Sequence, residues 1–153
     1  MGLHVEGLDD VLVRLSRCCT PVPPDEIIGF VTRGRGVSVH RADCANASSL
    51  SADQPDRLIE VEWDEHADGH FVASVEVKGL DRPGLLRDVV DVLADNQVNV
   101  ISANTATSGV DRVAKMRFDF EIGDPAHLDR LLYLIRGVDS VYDVYRVVPG
   151  REG

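Results

Sequence analysis

The second half of the chain shows its architecture as changes of period. In "FVASVEVKG" (71–79), Phe71, Ala73, Val75 and Val77 fall on one side, with Ser74, Glu76 and Lys78 opposite. That is the alternation of a half-buried strand. Leu85, Leu86, Val89, Val90 and Leu93 then form a helical stripe. Pro83 suits the first turn of that helix, and Asn96 the left-handed position just past its end. "VNVISANTAT" (98–107) reads as a strand from its β-branched content. "SGVD" turns it into 112–122, where Ala114, Met116, Phe118, Phe120 and Ile122 alternate with Lys115, Arg117, Asp119 and Glu121. Asp124 as N-cap and Pro125 at the first helical position open a second helix. Its apolar residues Leu128, Leu131, Leu132 and Ile135 are spaced i, i+3, i+4, i+7, and Gly137 ends it. "SVYDVYRVV" is a last strand whose pattern does not decide its inward face.

The resulting order, β-α-β-β-α-β, predicts a ferredoxin-like domain: an antiparallel four-stranded sheet with two helices on one face. Its other face or an edge then needs cover. The periodicity fails over "DEHADGH" (64–70), which reads as a linker region. The expected division is a first domain at 1–66, a linker at 67–70, a second domain at 71–149 and a tail at 150–153. In the first domain "EIIGFVTRG" and "GVSVHR" form a hairpin through Arg33–Gly36, "ADCANASSL" gives one or two helical turns, and "DRLIEVEW" gives a third strand. The fold class is α+β, a small ββαβ domain followed by the ferredoxin-like one. So few aliphatic residues in the first domain leave a marginal core that a bound metal would staple.

Charge and composition narrow the function. The net charge of −10 over 153 residues argues against non-specific nucleic-acid binding, which depends on neutralising phosphates. The charge is uneven, however: Arg14, Arg17, Arg33, Arg35 and Arg41 face only Asp25 and Glu26 across residues 14–41. No apolar run is long enough for a membrane span, and the opening residues carry no secretory signal. The expectation is a cytoplasmic protein in a reducing compartment, with its cysteines as thiols or metal ligands.

All three cysteines lie within "RCCTPVPPDEIIGFVTRGRGVSVHRADC" (17–44). Cys18 and Cys19 precede prolines that keep the segment extended. His40 and Cys44 are four apart, so a helix beginning at 41 would place them on one face. Cys-Cys-x20-His-x3-Cys supplies four ligands suited to tetrahedral zinc, with Asp43 as a fifth candidate. The alternatives are buried structural cysteines, or a Cys18 or Cys19 nucleophile with His40 as base, for which no oxyanion hole or orienting group is marked. The RGRG turn is either a soluble hairpin tip or an RNA-phosphate contact by Arg33, Arg35 and Arg41. "LDRPGLL" opens a helix whose free N–H groups favour a small carboxylate, or is simply a well-capped helix start.

Together these residues carry a resemblance. The segment from Cys18 to Cys44 resembles the zinc-finger, or ribosome-intersubunit, segment of long RelA/SpoT-family enzymes, which make and degrade (p)ppGpp. Residues 70–149 resemble the ACT domain that follows it there. The resemblance implies a regulatory C-terminal region without catalytic domains, cytoplasmic, working in the stringent response. Implied partners are the ribosome and its RNA, A-site tRNA through the parent protein, and the upstream catalytic domains. By motif match the zinc candidates are Cys18, Cys19, His40, Asp43 and Cys44, with the choice between Asp43 and a vicinal cysteine open. Some relatives bind branched-chain amino acids through the ACT domain, where two copies meet. Here that would join Asp81, Pro83, Gly84, Leu85 and Leu86 to Asn99, Val100 and Ile101 in a homodimer. A free-standing ACT amino-acid sensor regulating a metabolic enzyme is the competing reading.

Overall fold

The computed structural model describes residues 3–5, 12–34, 36–64 and 69–150. Arg35, residues 67 and 68 of the expected linker and residues 151–153 of the expected tail lie outside them. The chain forms two compact units: Met1–Phe71 together with Val148–Gly153, and Val72–Val147.

The second unit has the ferredoxin-like order. It comprises β7 (Phe71–Leu80), α2 (Leu85–Asp95), β8 (Asn99–Thr107), β9 (Val113–Ile122), α3 (Pro125–Arg136) and β10 (Val141–Val147), with strand order β10-β7-β9-β8. The alternation holds: Ala73, Val75 and Val77 of β7 and Ala114, Met116, Phe118, Phe120 and Ile122 of β9 are buried. They meet Leu85, Val89 and Leu93 of α2 and Leu128, Leu131 and Ile135 of α3. The stripe of α2 is narrower than expected. Leu86 and Val90, one residue round from the buried line, are 42% and 39% exposed. Asp124 caps α3 by accepting from the Ala126 N–H at 2.9 Å. The end of α2 differs from expectation: the left-handed residue is Gln97 (φ 58), not Asn96. The Gln97 and Val98 N–H groups bond back to the Ala94 and Leu93 carbonyls, a Schellman ending. Asn96 instead donates its side-chain amide to the Val92 carbonyl at 2.7 Å. The inward face of β10 reduces to one buried residue, Val144, beside a register irregularity between Val141 and Asp143.

The opposite sheet face is polar. Asp119 accepts from the Ser74 hydroxyl at 2.6 Å and the Ser102 hydroxyl at 2.8 Å, and Arg117 stands 3.6 Å from it. Tyr145 donates to Glu76 nearby. Burial works against the Asp119 charge, but the two hydroxyls and Arg117 outweigh it and hold the carboxyl below its ordinary value. At the edge, β8 pairs only with β9 among the described residues, and all nine of its residues are exposed.

The first unit is richer in strands than its pattern predicts. It holds β1 (Leu3–Val5), β2 (Leu12–Leu15), β3 (Ile27–Val31), β4 (Gly36–Arg41), α1 (Ala45–Asp53), a 3₁₀ turn (Pro55–Arg57), β5 (Leu58–Ile59) and β6 (Val61–Trp63). The expected hairpin is β3–β4, with Ile27 opposite Arg41 and Val31 opposite Val37. The single third strand is two: β5 pairs with β3, and β6 pairs with β1. The unforeseen β2 runs parallel to β4, giving a sheet of order β2-β4-β3-β5. Two small clusters form the core. One is Val37, Val39 and Val61; the other is Cys19, Phe30, Cys44 and Ala47.

Candidate metal centre

Three elements carry the cysteines and the histidine together. Cys18 and Cys19 sit in the turn after β2, where the Ser16 N–H bonds the Val39 carbonyl at 2.9 Å and the Thr20 N–H returns to Ser16. Parallel pairing with β4 thus delivers the vicinal pair beside His40, a β4 residue. Cys44 is the N-cap of α1. The His-x3-Cys spacing therefore spans a strand, a tight turn and a helix start, not one helix face. The ladder with Ile27 keeps β4 extended through Arg41, and the Cys44 N–H closes the turn on the Arg41 carbonyl at 3.0 Å.

The donor atoms of Cys18, Cys19, His40 and Cys44 all lie within 4.8 Å of one another. The Cys18 sulfur is 3.4 Å from His40 Nδ1, 3.7 Å from the Cys44 sulfur and 3.9 Å from the Cys19 sulfur. The Cys19 sulfur is 3.8 Å from His40 Nδ1. Zinc–sulfur bonds of about 2.3 Å set tetrahedral sulfurs about 3.8 Å apart, so these spacings fit one tetrahedral ion. No disulfide links the three thiols. Burial pushes the Cys19 thiol up to about 12. Burial also lowers the His40 value, which favours the neutral ring and leaves a nitrogen lone pair free. The Phe30 ring meets His40 edge-on at 5.6 Å and walls the site. A thiol that resists ionisation is a poor free nucleophile, and a bound metal would have to displace its proton.

Other expected site residues fall elsewhere. Asp43 is not in the cluster; its carboxylate takes the Arg41 Nε–H at 2.8 Å. Arg41 was expected among the phosphate contacts, but it is 3% exposed and its guanidinium is spent inside the unit. Arg33 is exposed at the hairpin tip, and Arg14 and Arg17 are exposed on the same unit.

In the second unit a cleft of about 390 Å³ opens at the start of α2. Asp81, Gly84, Leu85 and Leu86 line it, with Arg82, Arg87, Thr105, Thr107, Ala114 and Met116. Gly84 holds the left-handed N-cap of α2 at φ 81, a conformation that favours glycine. Pro83 and the β8 residues Asn99, Val100 and Ile101 do not line it. The Thr105–Thr107 side of the cleft carried no sequence signal, because small polar strand residues look the same at any edge.

Residues 3–64 match the RelA/SpoT RIS domain, and residues 67–146 match the ACT domain. The chain belongs to the RelA/SpoT family through this pair of domains. It is 56% identical over 149 residues to a GTP pyrophosphokinase of Streptomyces antibioticus, covering 97% of this chain and 18% of that protein. It is 55% identical over 147 residues to the bifunctional (p)ppGpp synthase/hydrolase RelA of Mycobacterium tuberculosis, covering 96% of this chain and 20% of that protein. The chain thus spans about a fifth of the length of these relatives. A solved ACT domain from a GTP pyrophosphokinase of Chlorobium tepidum is 19% identical, with a TM-score of 0.47, covering 52% of this chain and 100% of that one. No helix among the described residues is long and apolar enough to cross a membrane.

Proposed function

We propose that this chain is the regulatory C-terminal region of a cytoplasmic (p)ppGpp synthetase/hydrolase, and that it acts by binding, with no chemistry of its own. In this reading zinc staples the RIS unit through Cys18, Cys19, His40 and Cys44. The unit docks on ribosomal RNA and couples the parent enzyme to A-site tRNA. The observation that supports the reading is the convergence of the four donor atoms within 4.8 Å of one another, in a unit too poor in apolar core to stand easily alone. The ACT unit contributes control through its exposed edge β8, which suits a second copy, and through the cleft at Gly84, which suits a branched-chain amino acid. When bound, zinc would supply structure alone, since all four tetrahedral positions are taken by protein.

Ribosome co-sedimentation of the parent protein tests the docking step. With both Arg33 and Arg35 replaced by Ala, affinity should drop and the salt dependence flatten by roughly 0.7–0.9 for each phosphate no longer neutralised. Unchanged affinity and slope would reduce the RGRG tip to a turn.

A further inference from the structure

The buried guanidinium of Arg41 needs partners for its donors, and where it finds them is informative. Nε donates to Asp43 at 2.8 Å, Nη1 to the Cys19 carbonyl, and Nη2 to the Pro149 carbonyl at 2.7 Å. The backbone N–H of Arg41 also points at the Cys19 sulfur, 3.4 Å away. Arg41 therefore grips Cys19 at both its carbonyl and its thiol, and one of its remaining anchors lies 108 residues further along the chain.

The next residue, Gly150, continues the contact. Cys44 provides no side-chain cap to α1, because its thiol is turned into the cluster. The first N–H of that helix, from Ala45, donates to the Gly150 carbonyl at 2.8 Å. Gly150 itself lies against the Cys18–Cys19 peptide. A Cβ there would stand 2.5 Å from the Cys18 carbonyl oxygen and 3.5 Å from Cys19 Cβ, and φ is +75. Only glycine fits both the space and the conformation. Residues 148–150 lie beyond both matched domains, which end at 64 and 146, yet they belong to the first unit.

We propose that Val148–Gly150 is a strap completing the outer shell of the metal centre, with Arg41 as the positioning residue that ties it to Cys19. This rests on the reading of the four-residue cluster as a metal site. A divalent ion held by three thiolates and a neutral imidazole leaves one net negative charge, and the Arg41–Asp43 pair turns its guanidinium side toward Cys19. Groups that bond to ligands in this way orient them and tune their basicity, and losing one typically weakens metal binding about 10–100-fold. Because coupling is reciprocal, the ion must in turn hold the strap down.

The test uses the full chain and zinc alone. Zinc affinity is measured by competition with a chromogenic chelator for wild type, for Gly150→Val and for the control Gly109→Ala, whose added Cβ would meet nothing within 4 Å. Cobalt substitution reports the ligand geometry through its absorption bands. Hydrogen exchange at the Ala45 amide is followed with and without zinc. The expected result is zinc affinity about 10–100-fold weaker in Gly150→Val and unchanged in Gly109→Ala. Zinc should slow Ala45 exchange in wild type and not in Gly150→Val. Gly150 belongs to the first unit, so the variant should keep the wild-type melting of the second unit. Wild-type affinity and wild-type zinc protection in Gly150→Val would overturn the strap and leave the metal site standing. Failure of the wild-type chain to take up zinc would overturn the metal reading itself, and the strap as part of it.

Discussion

Removing the metal should melt one unit and spare the other. In the second cluster of the first unit, two of the four buried residues, Cys19 and Cys44, are themselves candidate ligands, and Phe30 is the only large one of the four. The other cluster is three valines. The second unit buries Phe118, Phe120, Leu85, Leu93, Leu131 and Ile135, among others, with no thiol in its core. Zinc at a hundredfold excess over its dissociation constant contributes about 2.7 kcal/mol to whatever folds around it. For a unit of this size each kcal/mol is worth roughly 4–8 °C. Chelation should therefore lower the first unit's melting temperature by about 10–20 °C. Cys44→Ser should do the same without chelator. Differential scanning calorimetry should show two transitions, with only one moved by chelator. A chelator that moves neither transition would refute the linkage, and one that moves both equally would refute its confinement to the first unit.

Three further outcomes follow from the second unit. Ile101, 51% exposed on the open edge, should make sedimentation equilibrium sensitive to Ile101→Lys, which converts a self-associating chain to a monomer; calorimetric heat with millimolar valine should vanish in Gly84→Val, and heat that survives would place the ligand elsewhere. Asp119 is held below its ordinary carboxyl value mainly by Ser74 and Ser102, against burial, so the folded unit binds its proton less readily than the unfolded chain does. Its contribution is then fully present above about pH 4 and is lost as the pH falls further, through the depressed folded value. Urea midpoints at pH 7 and pH 3 should differ less in Ser74→Ala than in wild type; an identical difference would remove Asp119 from the account.

The parts of the fold that were legible are those where local pattern and tertiary burial agree. The alternation of β9 and the Asp124–Pro125 start of α3 needed no distant partner to be read. The first unit was harder, because long-range pairing decides its elements. Residues 12–15 become a strand only by lying parallel to β4, and the stretch after Arg57 splits because its two ends pair with different strands. The metal-site residues were visible as a set of donor types, but not their geometry: the His-x3-Cys spacing fits a helix as well as a strand followed by a turn. Arg41 looked like a surface cation since nothing near it in sequence announces a buried acceptor. The carbonyl that receives it belongs to Pro149, and Asp43, a ligand candidate by its motif, neutralises it instead.

The return of residues 148–150 to the first unit also fixes an order of events during synthesis. Chains emerge from the ribosome N-terminus first, and domains usually fold in that order. Here the earlier unit takes its last hydrogen bonds, to Arg41 and Ala45, from residues translated after the whole of the later one. A chain cut just short of Pro149 would hold every residue of the second unit while the first still lacked the carbonyls that Arg41 and Ala45 bond to. The N-terminal unit is thus the last to be completed.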